Sequence, residues 1–182
     1  MNTAIRSLAA AVVVALSAAA TVFALSGASG SANAATEAPR AAPEFAGIDN
    51  WLNSGPLTMA QLRGKAVLID FWTYDCINCQ HTLPQVKAWH DKYKDKGLVV
   101  VGVHTPEYGF ERNLDNLKTA VQRNGITYPV AQDNRYATWQ AYDNQFWPAV
   151  YLVDRNGQVV YTHFGEGNYG QTDAAIRKAL GL

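Results

Sequence analysis

Ala66-Val67-Leu68-Ile69-Asp70-Phe71-Trp72 is an apolar run broken only by Asp70, and it leads directly to Cys76 and Cys79, the only two cysteines of the chain. A run apolar on both alternating faces is that of a central strand covered on both sides. Leu83, Val86, Trp89 (or His90) and Tyr93 then recur at helical spacing, so a helix is expected from about Cys76 to Tyr93, kinked by Pro84. A C-x-x-C where a buried strand passes into a helix is the arrangement of a redox-active dithiol. It names thiol–disulfide exchange before anything else about the chain is settled.

The first residues set the compartment. Arg6 supplies a positive start, Leu8–Leu25 is largely Ala, Val and Leu, and Ala32-Asn33-Ala34 offers a small-residue cleavage site. Residues 1–34 are therefore expected to be a cleaved signal peptide and the protein to be periplasmic, the rival reading being a retained membrane anchor. In an oxidising compartment a structural disulfide must be weighed, but a loop this short constrains the unfolded chain little. Without Arg6, fourteen Lys and Arg face fifteen Asp and Glu, so neither nucleic acid nor an anionic membrane surface is indicated as partner. Residues 35–43, rich in Ala and Pro, read as a flexible leader, and residues 44–182 as one domain.

Along that domain, Pro56-Leu57-Thr58 reads as a short extended piece and Met59–Leu62 as a helical turn. Leu98–Val103 is a second buried strand, and Leu114, Leu117 and Val121 mark a helix stopped by Asn124-Gly125. Pro129–Ala131 suggests a short strand and Ala137–Tyr142 a helical turn. Ala149–Val153 and Gln158–Phe164 form a hairpin, and Thr172 or Asp173 caps a last helix. The fold class is α/β: a mixed central sheet with helices on both faces, resembling the thioredoxin plan.

Cys76, at the helix N-terminus, is the expected nucleophile, because unpaired N–H groups and the helix dipole favour its thiolate. Cys79, one turn later, is expected to be more buried and to resolve the mixed disulfide. Asp70, the one polar residue of its strand, is placed to underlie the dithiol and shuttle the Cys79 proton, its pKa raised by burial. Pro148, with Trp147, is expected beside the dithiol as a cis-Pro edge for an extended substrate, and Trp72, Tyr74 and Trp147 as an apolar collar or ordinary core. Asp75 and the uncharged Ile77-Asn78 pair bring no cation, which tilts the dithiol toward reduction.

Phe71–Cys79, Leu83-Pro84, Gly102–Glu107 and Trp147-Pro148-Ala149 resemble the TlpA/redoxin branch of the thioredoxin superfamily, above all the periplasmic domain of DipZ-type interchange proteins. The resemblance implies a thioredoxin-like fold with a strand–helix insertion at about Tyr108–Val130. It implies that Asp70, Cys76, Cys79, Pro84 and Pro148 are the buried acid, dithiol, helix proline and cis-proline, and that Glu107 tunes the dithiol. DipZ-type proteins carry a multi-helix membrane domain that delivers electrons. This sequence has none, so a separate membrane donor is implied, with disulfide-containing proteins as substrates, a monomer, and no cofactor.

Two other functions fit the residues. A redoxin-type peroxidase would use Cys76 as peroxidatic thiol, although no cation lies close to it in sequence. A copper or zinc carrier would use Cys76, Cys79 and His81, one ligand short of a closed zinc site. Haem attachment is excluded because Gln80, not a histidine, follows Cys79.

Overall fold

The structure is a computed structural model and describes residues 40–182. The expected signal peptide and residues 35–39 of the expected leader lie outside the described residues. The elements in chain order are β1 (Arg40–Ala41), β2 (Asn50–Leu52), β3 (Ala66–Trp72), α1 (Ile77–Tyr93), β4 (Leu98–His104), α2 (Leu114–Arg123), β5 (Val130–Gln132), α3 (Ala137–Ala141), β6 (Ala149–Val153), β7 (Gln158–Phe164) and α4 (Tyr169–Leu180). Single 3-10 turns at Lys94–Lys96 and Gly109–Arg112 complete the set.

One seven-stranded sheet runs in the order β1-β7-β6-β3-β4-β5-β2. β3 lies at its centre, parallel to β4 and antiparallel to β6, and every one of its residues is buried. Its alternate side chains serve two cores. Ala66, Leu68 and Trp72 pack with Leu83, Val86, Trp89 and Tyr93 of α1, together with α2 and α4. Val67, Ile69 and Phe71 pack on the other face with Trp139, Tyr142, Met59 and Leu62. Burying each large apolar side chain stabilises by about 1.5–3 kcal/mol, enough for this strand to carry one carboxyl, Asp70, in its middle.

The thioredoxin-like fold, its central strands, its hairpin, the helix α2 and the short strand β5 agree with the sequence reading, but the insertion at Tyr108–Val130 runs from a 3-10 turn into α2 with no strand ahead of the helix. Four further local expectations do not agree. Residues 40–43 are not a flexible leader: Arg40 and Ala41 pair with Val159 and Gln158, and the Tyr142 hydroxyl donates to the Pro43 carbonyl at 2.9 Å. The extended segment before β3 is Asn50–Leu52, not Pro56–Thr58; it pairs with Val130–Gln132, some eighty residues away. Pro84 does not interrupt α1, which is continuous through it. Helix α4 begins one turn before Thr172, after Asn168 in the left-handed region at φ 50°.

Gly102 has a packing reason. It stands opposite Asp70 in the β3–β4 register, and a Cβ there would lie 2.9 Å from Trp72 Nε1 and 3.1 Å from Tyr128 Cε2. Only a glycine lets those two rings close over β4 beside the carboxyl.

Candidate active site

The end of β3 and the start of α1 place the dithiol. Cys76 is the N-cap of α1, in extended backbone, and its Sγ accepts the Cys79 N–H at 3.2 Å. Both cysteines are free thiols, Cys76 half-buried and Cys79 only 4% exposed. Hydrogen bonding from Cys79, aided by the Asn78 and Cys79 N–H groups, lowers the Cys76 pKa from 9.0 to about 7, against burial and the charge of Glu107. The same thiol–thiol hydrogen bond, then burial and the charges of Cys76 and Asp70, push Cys79 well up. Near neutral pH one cysteine is therefore a ready thiolate and the other a held thiol.

Asp70 faces the α1 side of β3 and is 2% exposed, and its Oδ1 has no hydrogen-bond partner. Burial first, then the Cys76 charge, raises its pKa from 3.8 to about 7. A carboxyl so poised can take or return a proton at neutral pH.

Pro148 is buried, its peptide bond to Trp147 is cis, and its carbonyl accepts the Gly165 N–H at 2.8 Å. Trp147 is half-buried; its Nε1 donates to the Thr105 carbonyl at 3.0 Å and its ring lies 4.2 Å from that of Trp139. Trp72 departs from the expected collar. At 3% exposure it offers a substrate no surface and belongs to the core under α1. The exposed apolar side chains include Ile77, between the cysteines, Tyr108 and Phe110, whose rings stack at 5.7 Å, and Phe146 and Phe164 at 5.4 Å.

The two glutamates after β4 differ. Glu107 is exposed and reaches the dithiol only through its charge. Glu111 is fully buried and accepts four donors: the Thr73 hydroxyl and the Asp75 N–H (3.2 Å) on Oε1, and the N–H groups of Glu107 (2.6 Å) and Tyr108 (2.8 Å) on Oε2. The Thr73 oxygen lies 3.2 Å from His104 Nε2, and since its one hydrogen goes to Glu111, Nε2 must donate to it. Burial lowers the His104 pKa to about 3, so this imidazole is neutral. Sequence reasoning missed Glu111, His104 and Thr73. No sequence pattern marked them: Glu111 caps the turn by accepting the Tyr108 N–H, but Tyr108 is not the Ser or Thr that announces a capping box.

Asp75 and Glu107 are both exposed, and of the two it is Glu107 whose charge opposes the Cys76 thiolate. His81 pairs with Glu166 at 2.9 Å. Among the described residues no cluster of three His, Cys, Asp or Glu side chains is placed to hold a metal.

A family model described as Redoxin matches residues 37–180. Protein DipZ of Mycobacterium tuberculosis (strain CDC 1551 / Oshkosh) is 51% identical over 142 residues, covering 76% of this chain and 20% of DipZ. The chain thus spans about a fifth of that relative's length. Thiol-disulfide oxidoreductase YkuV of Bacillus subtilis (strain 168) is 38% identical over 129 residues, 70% of this chain and 84% of YkuV. The solution structure of a thioredoxin-like protein in the oxidized form matches with a TM-score of 0.72 at 33% identity, over 79% of this chain and 96% of that one.

Proposed function

The chain belongs to the redoxin family within the thioredoxin superfamily, and from that premise we propose that it is an exported thiol:disulfide oxidoreductase that reduces protein disulfides. The carrying observation is the split between its cysteines: Cys76 half-exposed at a helix N-terminus with a lowered pKa, Cys79 buried with a raised one.

The Cys76 thiolate attacks one sulfur of a substrate disulfide, forming a mixed disulfide and releasing the first substrate thiolate, which takes a proton from water. Cys79 gives its proton to Asp70 and attacks Cys76 Sγ. The enzyme disulfide forms, the Cys76–substrate bond breaks, and the second substrate sulfur leaves, taking the proton from Asp70. Two electrons pass to the substrate, and a separate membrane donor restores the dithiol. The backbone ahead of Pro148 receives the substrate as an added strand, and Ile77 and Phe146 supply apolar contact in the place first assigned to Trp72. The charge of Glu107 holds back the thiolate, which favours a reducing pair.

Dithiothreitol-driven insulin reduction tests this reading. The wild-type chain is expected to be active and Cys76→Ser inactive, and Cys79→Ala is expected to trap substrates as mixed disulfides on Cys76. Peroxide consumption without insulin reduction would replace the reading with a peroxidase. A reduction potential near −120 mV, typical of strong periplasmic oxidants, would reverse its direction.

A further inference from the structure

Glu111 is a fully buried carboxylate whose two oxygens each accept two donors, and those donors come from two separate turns. Thr73 and Asp75 belong to the turn that delivers Cys76 to the helix N-cap. Glu107 and Tyr108 belong to the turn that follows β4. We infer that Glu111 is a positioning residue of the dithiol site, clamping these two turns together and so fixing the Glu107 carboxylate within electrostatic reach of Cys76. The inference rests on the reading of Cys76 as nucleophile for its functional consequence.

Three features make the clamp specific. A carboxylate is the one side chain with two acceptor atoms and no hydrogen of its own, so it alone satisfies both pairs of donors. A glutamine would turn its NH2 group toward one pair and leave at least one N–H without a partner in a buried place. The clamp is also braced from behind: neutral His104 donates to Thr73, and its ring stacks on Tyr74 at 5.4 Å. On the outer side the Tyr74 hydroxyl donates to the Phe110 carbonyl at 3.2 Å, a second tie between the same two turns.

The ionisable groups around Cys76 are Cys79, Asp70, Asp75 and Glu107. Asp75 and Glu107 both sit on turns that Glu111 holds, and Glu107 is the one of the two whose charge opposes the Cys76 thiolate. Its charge raises the Cys76 pKa, so freeing its turn lowers it. Glu111 thus acts on the dithiol through Glu107, without touching a sulfur.

A double-mutant cycle on the full chain tests the clamp, with the Cys76 thiolate followed by its ultraviolet absorbance and by iodoacetamide alkylation at low pH. Glu107→Gln and Glu111→Gln are each expected to lower the Cys76 pKa by roughly half a unit or more, with about threefold faster alkylation at pH 6. The double variant is expected to match either single one. An unchanged Cys76 pKa in Glu111→Gln, with lower stability alone, would show a purely structural residue and overturn the inference. So would shifts that add, because Glu111 would then act through its own charge. Should Glu111→Gln fail to fold, Thr73→Val removes one donor and the His104 brace; a smaller shift in the same direction supports the clamp, and no shift overturns it. None of these readouts needs a protein substrate, so failure of insulin reduction in the wild type would count against the reductase reading alone.

Discussion

Asp70 and Glu111 are two buried acids of one site, yet their surroundings are opposite. Asp70 lies in the central strand among apolar side chains with Oδ1 unpartnered, while Glu111 lies in a turn with two donors on each oxygen. The first can release or accept a proton with little rearrangement of its neighbours. The second has both oxygens taken up by donors, so it holds those donors in place. Burial alone therefore does not assign a role to an acid; the number of donors aimed at it does.

The largest test of that contrast is stability on removal. Glu111→Ala leaves three backbone N–H groups and a hydroxyl without their acceptor, at about 1–3 kcal/mol for each that water cannot reach. A loss of about 3–6 kcal/mol in denaturant unfolding is expected, and a loss under 1 kcal/mol would remove the contrast.

Asp70→Asn should act in the other direction. The native state holds the Asp70 proton up to about pH 7, whereas the unfolded chain releases it near the ordinary 3.8. Native protein therefore binds more protons between those values, and stability falls as pH rises through that window. The full penalty, about 4 kcal/mol, is present above pH 7 and absent below pH 4. Unfolding at pH 8 is expected to show Asp70→Asn more stable than wild type by up to that amount, with the difference vanishing at pH 4. Equal stability at both pH values would place the carboxyl in water.

Catalysis gives the smallest effect and the sharpest one. Asp70→Asn loses the base for Cys79, so insulin reduction is expected to slow about 10- to 100-fold, or about 1.4–2.8 kcal/mol in barrier. The first attack by Cys76, followed by alkylation, should keep its rate within about threefold. Parallel losses in both steps would move Asp70 from proton carrier to general support.

The part of this site that was legible in the sequence is the part built from neighbours. β3, the N-cap position of Cys76 and the hairpin of Ala149–Val153 with Gln158–Phe164 follow from an apolar run, a helical period and the turn Asp154-Arg155-Asn156-Gly157. Asp70 stood out because a lone acid inside such a run must either face a special environment or break the strand. The edge strand Asn50–Leu52 gave no such signal, because three residues carry no usable period and their partners lie far along the chain. Trp72 was ambiguous for a related reason: an aromatic at the end of a strand can face a cleft or the core, and the answer depends on Gly102 and Tyr128.

The Cys76–Cys79 pair, its place at a strand–helix junction and the acid six residues before it were determined by the sequence alone, since local hydrogen bonding and burial pattern specify them. Tertiary structure alone decided which glutamate is buried. Glu107 and Glu111 lie four residues apart on the same segment, and only the closing of the Thr73–Cys76 turn against that segment gives one of them four donors and leaves the other in solvent. A carboxylate is drawn inside by the donors it meets there, and those donors exist as a group only after the chain has folded.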